Sequence, residues 1–420
     1  MTTERPGYAR VAVDGLRYLG EVLGLGERFE AAAEESVRTL FDGWGHRVSR
    51  DTDDGGGTPQ DAVATAPFEY SLVLDGDRVD VRLFFRPLPE RGPASATGSW
   101  ERGRRTLAEL ERLGLARLER AREVADLFRP HSERAAFGMC LAASVRASGI
   151  ARPKVYFDTL AAGTERSRET VGTALDRLGS GGAWTWLQRH DPRGMAHLMP
   201  AFFALDVDGS PHARIKFYTT VAERSPAELE ARLAPLGRAA AAAATGLLTD
   251  TAPQGSKPLD TPGVRPTLCW SMTSRDGARP DDATLYLPFN LYAPQQQEAH
   301  DRLRRSLDPA LLARVGRLVS DHADAVEGRA NPFHWAAAKL VHGGRALTLY
   351  TSAAAVEAAR TARIPARAGC TPLARAGPPS AAPSQEPVTA EKGRSLTLER
   401  TASDLLKSKV GTTGFEPATP

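Results

Sequence analysis

The chain has 420 residues, 41% of them apolar, and a net charge of +3, enough for a sizeable core but with no global field for nucleic acid or a membrane surface. Cys140, Cys269 and Cys370 are widely spaced without a CxxC pair, which argues against a disulfide framework and a zinc site. Met1 to Arg10 lacks an apolar signal core and no apolar run nears the ~18 residues of a membrane helix, so a soluble cytoplasmic protein is expected.

Helical periodicity opens the chain from Asp14 to Asp42, with a break predicted at Gly24 and Gly26. A strand then starts at Pro67-Phe68-Glu69-Tyr70-Ser71, and a partner strand carries Val81-Arg82-Leu83-Phe84-Phe85. Leu107 to Phe128 reads as one amphipathic helix, and Ser132 to Ala147 as another. Pro153-Lys154-Val155-Tyr156-Phe157 is strand-like, followed by helical spacing from Ser167 to Leu178. Ala213-Arg214-Ile215-Lys216-Phe217-Tyr218 is the clearest strand. After it, Ser225 before Pro226 predicts an N-cap for a helix reaching Leu248. Thr284-Leu285-Tyr286-Leu287, a helix from Pro294 to Val326, and Leu347-Thr348-Leu349-Tyr350 complete the series.

Five of these segments place a cation or tyrosine at every second position, with apolar residues between. Period two is the strand period, so Arg214, Lys216 and Tyr218 share one sheet face while Ile215 and Phe217 share the other. No Asp or Glu interleaves within these segments, an odd composition for a face that looks at water. One Lys-x-Tyr strand is usually a solvated face; five together suggest a chamber lined with cations and phenols, suited to a phosphorylated, apolar small molecule. Helices alternating with strand pairs about five times suggest an α+β fold: a closed antiparallel barrel inside a helical ring, which leaves no exposed edge. Residues 1–371 are expected to form this single domain. From Pro372 the Ala-, Pro- and Ser-rich composition predicts a disordered tail, 372–420.

Glu69 stands apart, since the strand register groups Glu69, Ser71 and Val73 against Phe68, Tyr70 and Leu72. A carboxylate on the face that also carries Arg82 could accept a hydrogen bond from a substrate N–H, or simply pair with a nearby arginine. The six tryptophans, Trp44, Trp100, Trp184, Trp186, Trp270 and Trp335, read as core. Asp321, His322 and Asp324, and His190 with His197, read as structural groups on a helix surface and in a loop, not metal ligands. Gly55-Gly56-Gly57 lacks the lysine and helix start of a phosphate loop.

Pro-Phe-Glu-Tyr-Ser, Val-Arg-Leu, Lys-Val-Tyr-Phe, Arg-Ile-Lys-Phe-Tyr, Thr-Leu-Tyr-Leu-Pro and Leu-Thr-Leu-Tyr occur in an order that resembles aromatic prenyltransferases of the dimethylallyltryptophan synthase type. The resemblance is closest to the bacterial indole-prenylating branch and spans roughly Val11 to Ser352. It implies a ten-stranded barrel surrounded by helices, and transfer of a dimethylallyl group from its diphosphate to the indole of tryptophan or a tryptophan-derived metabolite. By position, Glu69 resembles the acid that holds the indole N–H. Arg82, Lys154, Arg214 and Lys216 resemble the diphosphate ligands, and Tyr156, Tyr218, Tyr286 and Tyr350 the tyrosines that shield the allyl cation. Thr284 departs from the Gln of fungal members, and no counterpart is found for the arginine with which some of them bind the tryptophan carboxylate.

The chemistry accounts for these residue types. Asp53-Asp54 runs into glycines and Asp281-Asp282 into Ala283-Thr284, so the DDxxD motif of magnesium-dependent prenyltransferases is missing. No cofactor is expected, and no magnesium, because Arg and Lys can neutralise a diphosphate directly. Phenol faces attract a carbocation by about 0.5–2 kcal/mol each without trapping it. The expected partners are dimethylallyl diphosphate and an indole, with neither nucleic acid nor membrane, in a monomer or homodimer. Two other readings stand beside this one: a phenolic acceptor such as tyrosine, and a non-catalytic module that binds single-stranded nucleic acid on basic and aromatic strands.

Overall fold

The structure is a computed structural model and describes residues 6–48, 66–131, 137–161, 163–190, 200–221, 223, 225–252, 259, 266–273, 277–325, 331–341 and 346–367. The predicted tail (372–420), Gly55-Gly56-Gly57, Asp53-Asp54, His197 and Cys370 lie outside the described residues.

Two helices open the fold, α1 (Tyr8–Leu23) and α2 (Glu27–Leu40). They part at Gly24 and Gly26, both with positive φ (67° and 79°), as the glycine pair predicts. The first hairpin follows, β1 (Phe68–Asp75) and β2 (Arg78–Phe85). Then come α3 (Ala96–Arg112), α4 (Glu119–Val124), β3 (Met139–Arg146) and β4 (Gly149–Asp158). The third unit is α5 (Ser167–Arg177), α6 (Gly181–His190), β5 (Pro200–Asp206) and β6 (Ile215–Thr220). The fourth is α7 (Pro226–Leu233), α8 (Arg238–Thr251), β7 (Thr267–Met272) and β8 (Asp282–Leu287). Three helices, α9 (Phe289–Tyr292), α10 (Gln296–Ser306) and α11 (Pro309–Ala325), precede β9 (Phe333–Lys339) and β10 (Leu347–Ser352), and α12 (Ala353–Arg367) ends the described chain.

Each strand pairs antiparallel with its sequence neighbours, and β1 also pairs with β10, so ten strands close a barrel. The α+β barrel expected from the alternation is therefore the fold. Its layering is set by period two. Phe68, Tyr70, Leu72, Val81, Leu83, Phe85, Val155, Phe157, Ile215 and Phe217 point outward into one apolar layer shared with α1 residues such as Leu16 and Leu19. The alternate residues face inward. Gly15 on α1 shows how tightly the ring sits, because a Cβ there would overlap the Tyr70 ring of β1.

Four sequence expectations need correction, one being the helix expected from Pro294 to Val326, which breaks between Ser306 and Pro309 into α10 and α11. The helix expected from Leu107 to Phe128 is interrupted: α3 starts earlier, capped by Ser95 accepting from Gly98 N, and ends before Gly114, whose φ is 73°. The helix expected from Pro226 to Leu248 likewise breaks at Gly237 (φ 121°) before α8. Within Ser132 to Ala147, residues 139–146 are not helical but form β3. Both faces of this strand are buried, one against helices and one in the lumen, so its run of Cys, Leu, Ala and Val loses the alternation that would mark a strand.

Candidate active site

The five cation-and-tyrosine segments fall on β2, β4, β6, β8 and β10, the second strand of each hairpin, and their polar positions face the lumen. Tyr156, Tyr218, Tyr286 and Tyr350 are at most 1% exposed and form a continuous belt. Successive ring centroids lie 6.3, 6.2 and 6.1 Å apart. Phe84 extends the belt edge-on to Tyr156 at 5.3 Å, and Phe202 meets Tyr218 edge-on at 6.0 Å. Cys140, Ala142, Ala204, Cys269 and Ala337 fill the gaps with small side chains.

The cations gather at one part of this wall. Register places Lys154 beside Asp206, and Asp206 N bonds to Arg214 O, so Arg214 continues the β6 ladder one residue before the strand proper. Burial, then the charge of Lys216, depresses the Lys154 ammonium well below an ordinary lysine, and its Nζ has no hydrogen-bond partner. Burial and then Arg214 bring Lys216 down to about 7. Arg82 adds its charge to both lysines, and its buried Nε has no partner. Buried cations at close quarters, with unpartnered nitrogens on Lys154 and Arg82, can receive a polyanion, whose oxygens would supply charge and acceptors.

This cluster is not free of acid, as the cation segments alone had suggested. Asp206 on β5 takes a hydrogen bond from Arg214 Nε at 2.8 Å, and its other oxygen lies 3.8 Å from Lys154 Nζ. Burial acts to raise its pKa, but the summed charges of Lys154, Lys216 and Arg214 outweigh this and hold the carboxyl far below the usual range. The signal was present: Phe202, Ala204 and Asp206 alternate inward, but without cations of their own. Lys339 is a second omission. It pairs in register with Thr284 and feels both Arg214 and Arg82, while burial lowers its pKa.

Glu69 is 3% exposed and pairs in register with Phe84 and Ser352, next to the Ser71 position that meets Arg82 and Tyr350. Its carboxylate shares the lumen face with Arg82, as expected, but its bonded partner is not an arginine. Oε2 accepts from His334 Nε2 at 2.9 Å, while buried Oε1 has no partner. Burial raises the Glu69 pKa, and the His334 hydrogen bond opposes that rise. The sequence reading also missed Trp335, which lines the lumen beside Tyr350 rather than joining the outer core. The other five tryptophans pack in or against the outer layer.

The remaining motifs are structural. His322 is buried, not on a helix surface, and its Nδ1 meets Ala355 O at 3.2 Å; Asp321 accepts from Tyr18 Oη. Asp282 accepts from the backbone of Ala283 and Val341. Among the described residues no three His, Cys, Asp or Glu come together as a metal site, and no helix is long and apolar enough to cross a membrane.

A closed barrel of inward cations and tyrosines within a ring of helices is the fold of the aromatic prenyltransferases of the dimethylallyltryptophan synthase type. No family model matches the chain. The structure is similar to 5-dimethylallyltryptophan synthase from Streptomyces coelicolor, at 23% identity and a TM-score of 0.68 over 84% of this chain and 99% of that one. It is also similar to 6-dimethylallyltryptophan synthase from Micromonospora olivasterospora, solved in complex with DMASPP and Trp (23%, 0.67, over 83% and 98%). AnaPT from Neosartorya fischeri is more distant, at 17% identity and a TM-score of 0.62 over 83% and 92%.

Proposed function

We propose that this protein transfers a dimethylallyl group from dimethylallyl diphosphate to the indole ring of tryptophan or a tryptophan-derived metabolite. The observation that carries the reading is the tyrosine belt, which runs from the strand of Lys154 to the strand beside Glu69. It joins a site for a leaving diphosphate to a buried carboxylate acceptor. The partners of the similar synthases support the same substrates.

Arg82, Lys154, Arg214 and Lys216 would hold the diphosphate, with Lys339 beside them. The charge leaving with the diphosphate is then met by fixed cations, without a metal. The allyl cation would lie against the faces of Tyr156, Tyr218, Tyr286 and Tyr350, each contributing about 0.5–2 kcal/mol. Glu69 Oε1 would accept the indole N–H and make the ring more electron-rich as it attacks. A ring carbon or nitrogen bonds to the allyl carbon as the carbon–oxygen bond to diphosphate breaks, and the ring then loses a proton. The enzyme would work in the cytoplasm on small molecules alone.

The test is incubation with dimethylallyl diphosphate and a panel of indoles and phenols, with and without EDTA, followed by NMR location of the prenyl group. A prenylated indole formed equally in EDTA is expected. Prenylated tyrosine alone would move the acceptor to a phenol, and loss of turnover restored only by magnesium would overturn the metal-free reading.

A further inference from the structure

His334 occupies a slip in the barrel register. Tyr350 faces Trp335, whereas Thr351 faces Phe333, so His334 is the extra residue of a bulge and escapes the alternation of β9. Its ring centroid lies 6.4 Å from that of Tyr350, and its Nε2 lies 2.9 Å from Glu69 Oε2. An ionised carboxylate only accepts, so Nε2 carries the hydrogen of this bond. Nδ1 is enclosed and has no partner.

We propose that His334 is a positioning residue for Glu69. By donating to Oε2 it keeps the carboxylate ionised and turned, so that Oε1 remains open for the substrate N–H. This inference rests on the indole reading above. Phe84 and Ser352 flank Glu69 on β2 and β10. Tyr350 on β10 and Cys140 on β3 both feel Glu69, and burial holds both neutral. Arg82 acts on Tyr350 and Arg86 on Cys140. Burial pushes Glu69 toward its protonated form, and His334 opposes this. A protonated Glu69 would lose the charge that makes it a strong acceptor.

The test compares His334→Leu with His334→Gln, whose amide N–H can still donate. The infrared carbonyl stretch of a protonated carboxyl, assigned to Glu69 by its absence in Glu69→Gln, is followed against pH. In His334→Leu the stretch should appear at higher pH than in the wild type, and His334→Gln should restore much of the difference. For tryptophan, kcat/KM at neutral pH should fall roughly 10- to 100-fold in His334→Leu, with its acid limb moved to higher pH and the KM for the allyl donor unchanged. His334→Met serves the same comparison if the leucine variant does not fold. An unmoved carbonyl titration, or a glutamine variant as impaired as the leucine one, would overturn the proposal. If the wild type prenylates no indole, the functional reading fails while the infrared titration still decides the pair.

Discussion

Arg214 donates through Nε to Asp206 Oδ2 at 2.8 Å, while Asp206 Oδ1 faces Lys154 Nζ at 3.8 Å. One carboxylate thus bridges two of the four cations assigned to the diphosphate, from a strand with no cation of its own. With no anion bound, this acid is the cluster's internal counter-charge. Breaking a buried pair from one side costs about 3–5 kcal/mol, because the abandoned charges stay buried. Asp206→Asn should therefore lower the melting temperature of the empty protein, and added diphosphate should recover more of the loss than it adds to the wild type. Thermal melts with and without diphosphate check this; an unchanged melting point would remove Asp206 from the cluster's balance.

The same contact makes the two cations of β6 unequal. Lys216→Ala removes one positive charge and should weaken the allyl donor by about 1.5–3 kcal/mol. Arg214→Ala removes a charge and also releases Asp206 to repel the diphosphate, so its loss should be larger. Neither change should move indole affinity by a comparable amount. Calorimetric titration of both substrates into the two variants decides the order.

Lys216 has a folded pKa of about 7, below that of an ordinary lysine, and Lys154 is shifted in the same direction. Below about pH 7, Lys216 is protonated in the folded and unfolded chain alike, and the cost of burying its charge is fully present. From there to the ordinary lysine value the unfolded chain binds the extra proton, so the empty protein gains stability as pH rises. Diphosphate favours the charged lysines, so its binding should take up protons and weaken above about pH 7. Calorimetry in buffers of different ionisation enthalpy measures that uptake; equal heats after buffer correction would contradict it.

Tyr218 sits mid-belt, between Tyr156 and Tyr286, with Phe202 edge-on. Tyr218→Phe keeps the ring face, so prenyl transfer should mostly persist. Tyr218→Ala removes the face and makes room for water beside the cation. Transfer should drop roughly 2- to 30-fold, and hydrolysed prenyl alcohol should rise relative to prenylated indole. Product ratios by chromatography test this, and a ratio unchanged in Tyr218→Ala would place the allyl group elsewhere.

Ile215 lies between Arg214 and Lys216 in sequence but on the opposite wall, 2% exposed in the outer apolar layer. Ile215→Asp forces a carboxyl between barrel and helices, where even protonated and without a partner it costs roughly 2–7 kcal/mol, and more if it stays charged. Soluble, natively melting Ile215→Asp protein would mean that the strand is turned the other way.

What the chain reveals by itself is what depends on neighbouring residues along it. A side chain's face follows from its position modulo two, so Arg82, Lys154, Lys216 and the four tyrosines could be placed on one wall before any strand was paired. The hairpins and the closure they imply follow from the same period. The local signal fails where burial is two-sided, as in β3, whose Cys, Leu, Ala and Val meet apolar neighbours on both faces.

Tertiary structure decided who meets whom across the barrel. His334 is 265 residues from Glu69 in sequence, and a register slip rather than an alternation turns it toward the carboxylate. Asp206 is an unremarkable strand-end acid until the pairing of β5 with β4 and β6 sets it between Lys154 and Arg214. Period two specifies a face but not a partner, because contacts across a lumen depend on how ten strands stagger as they close. The chamber's lining was therefore legible in the sequence, whereas its two carboxylate partnerships required tertiary structure, strand register for Asp206 and the closed barrel for Glu69.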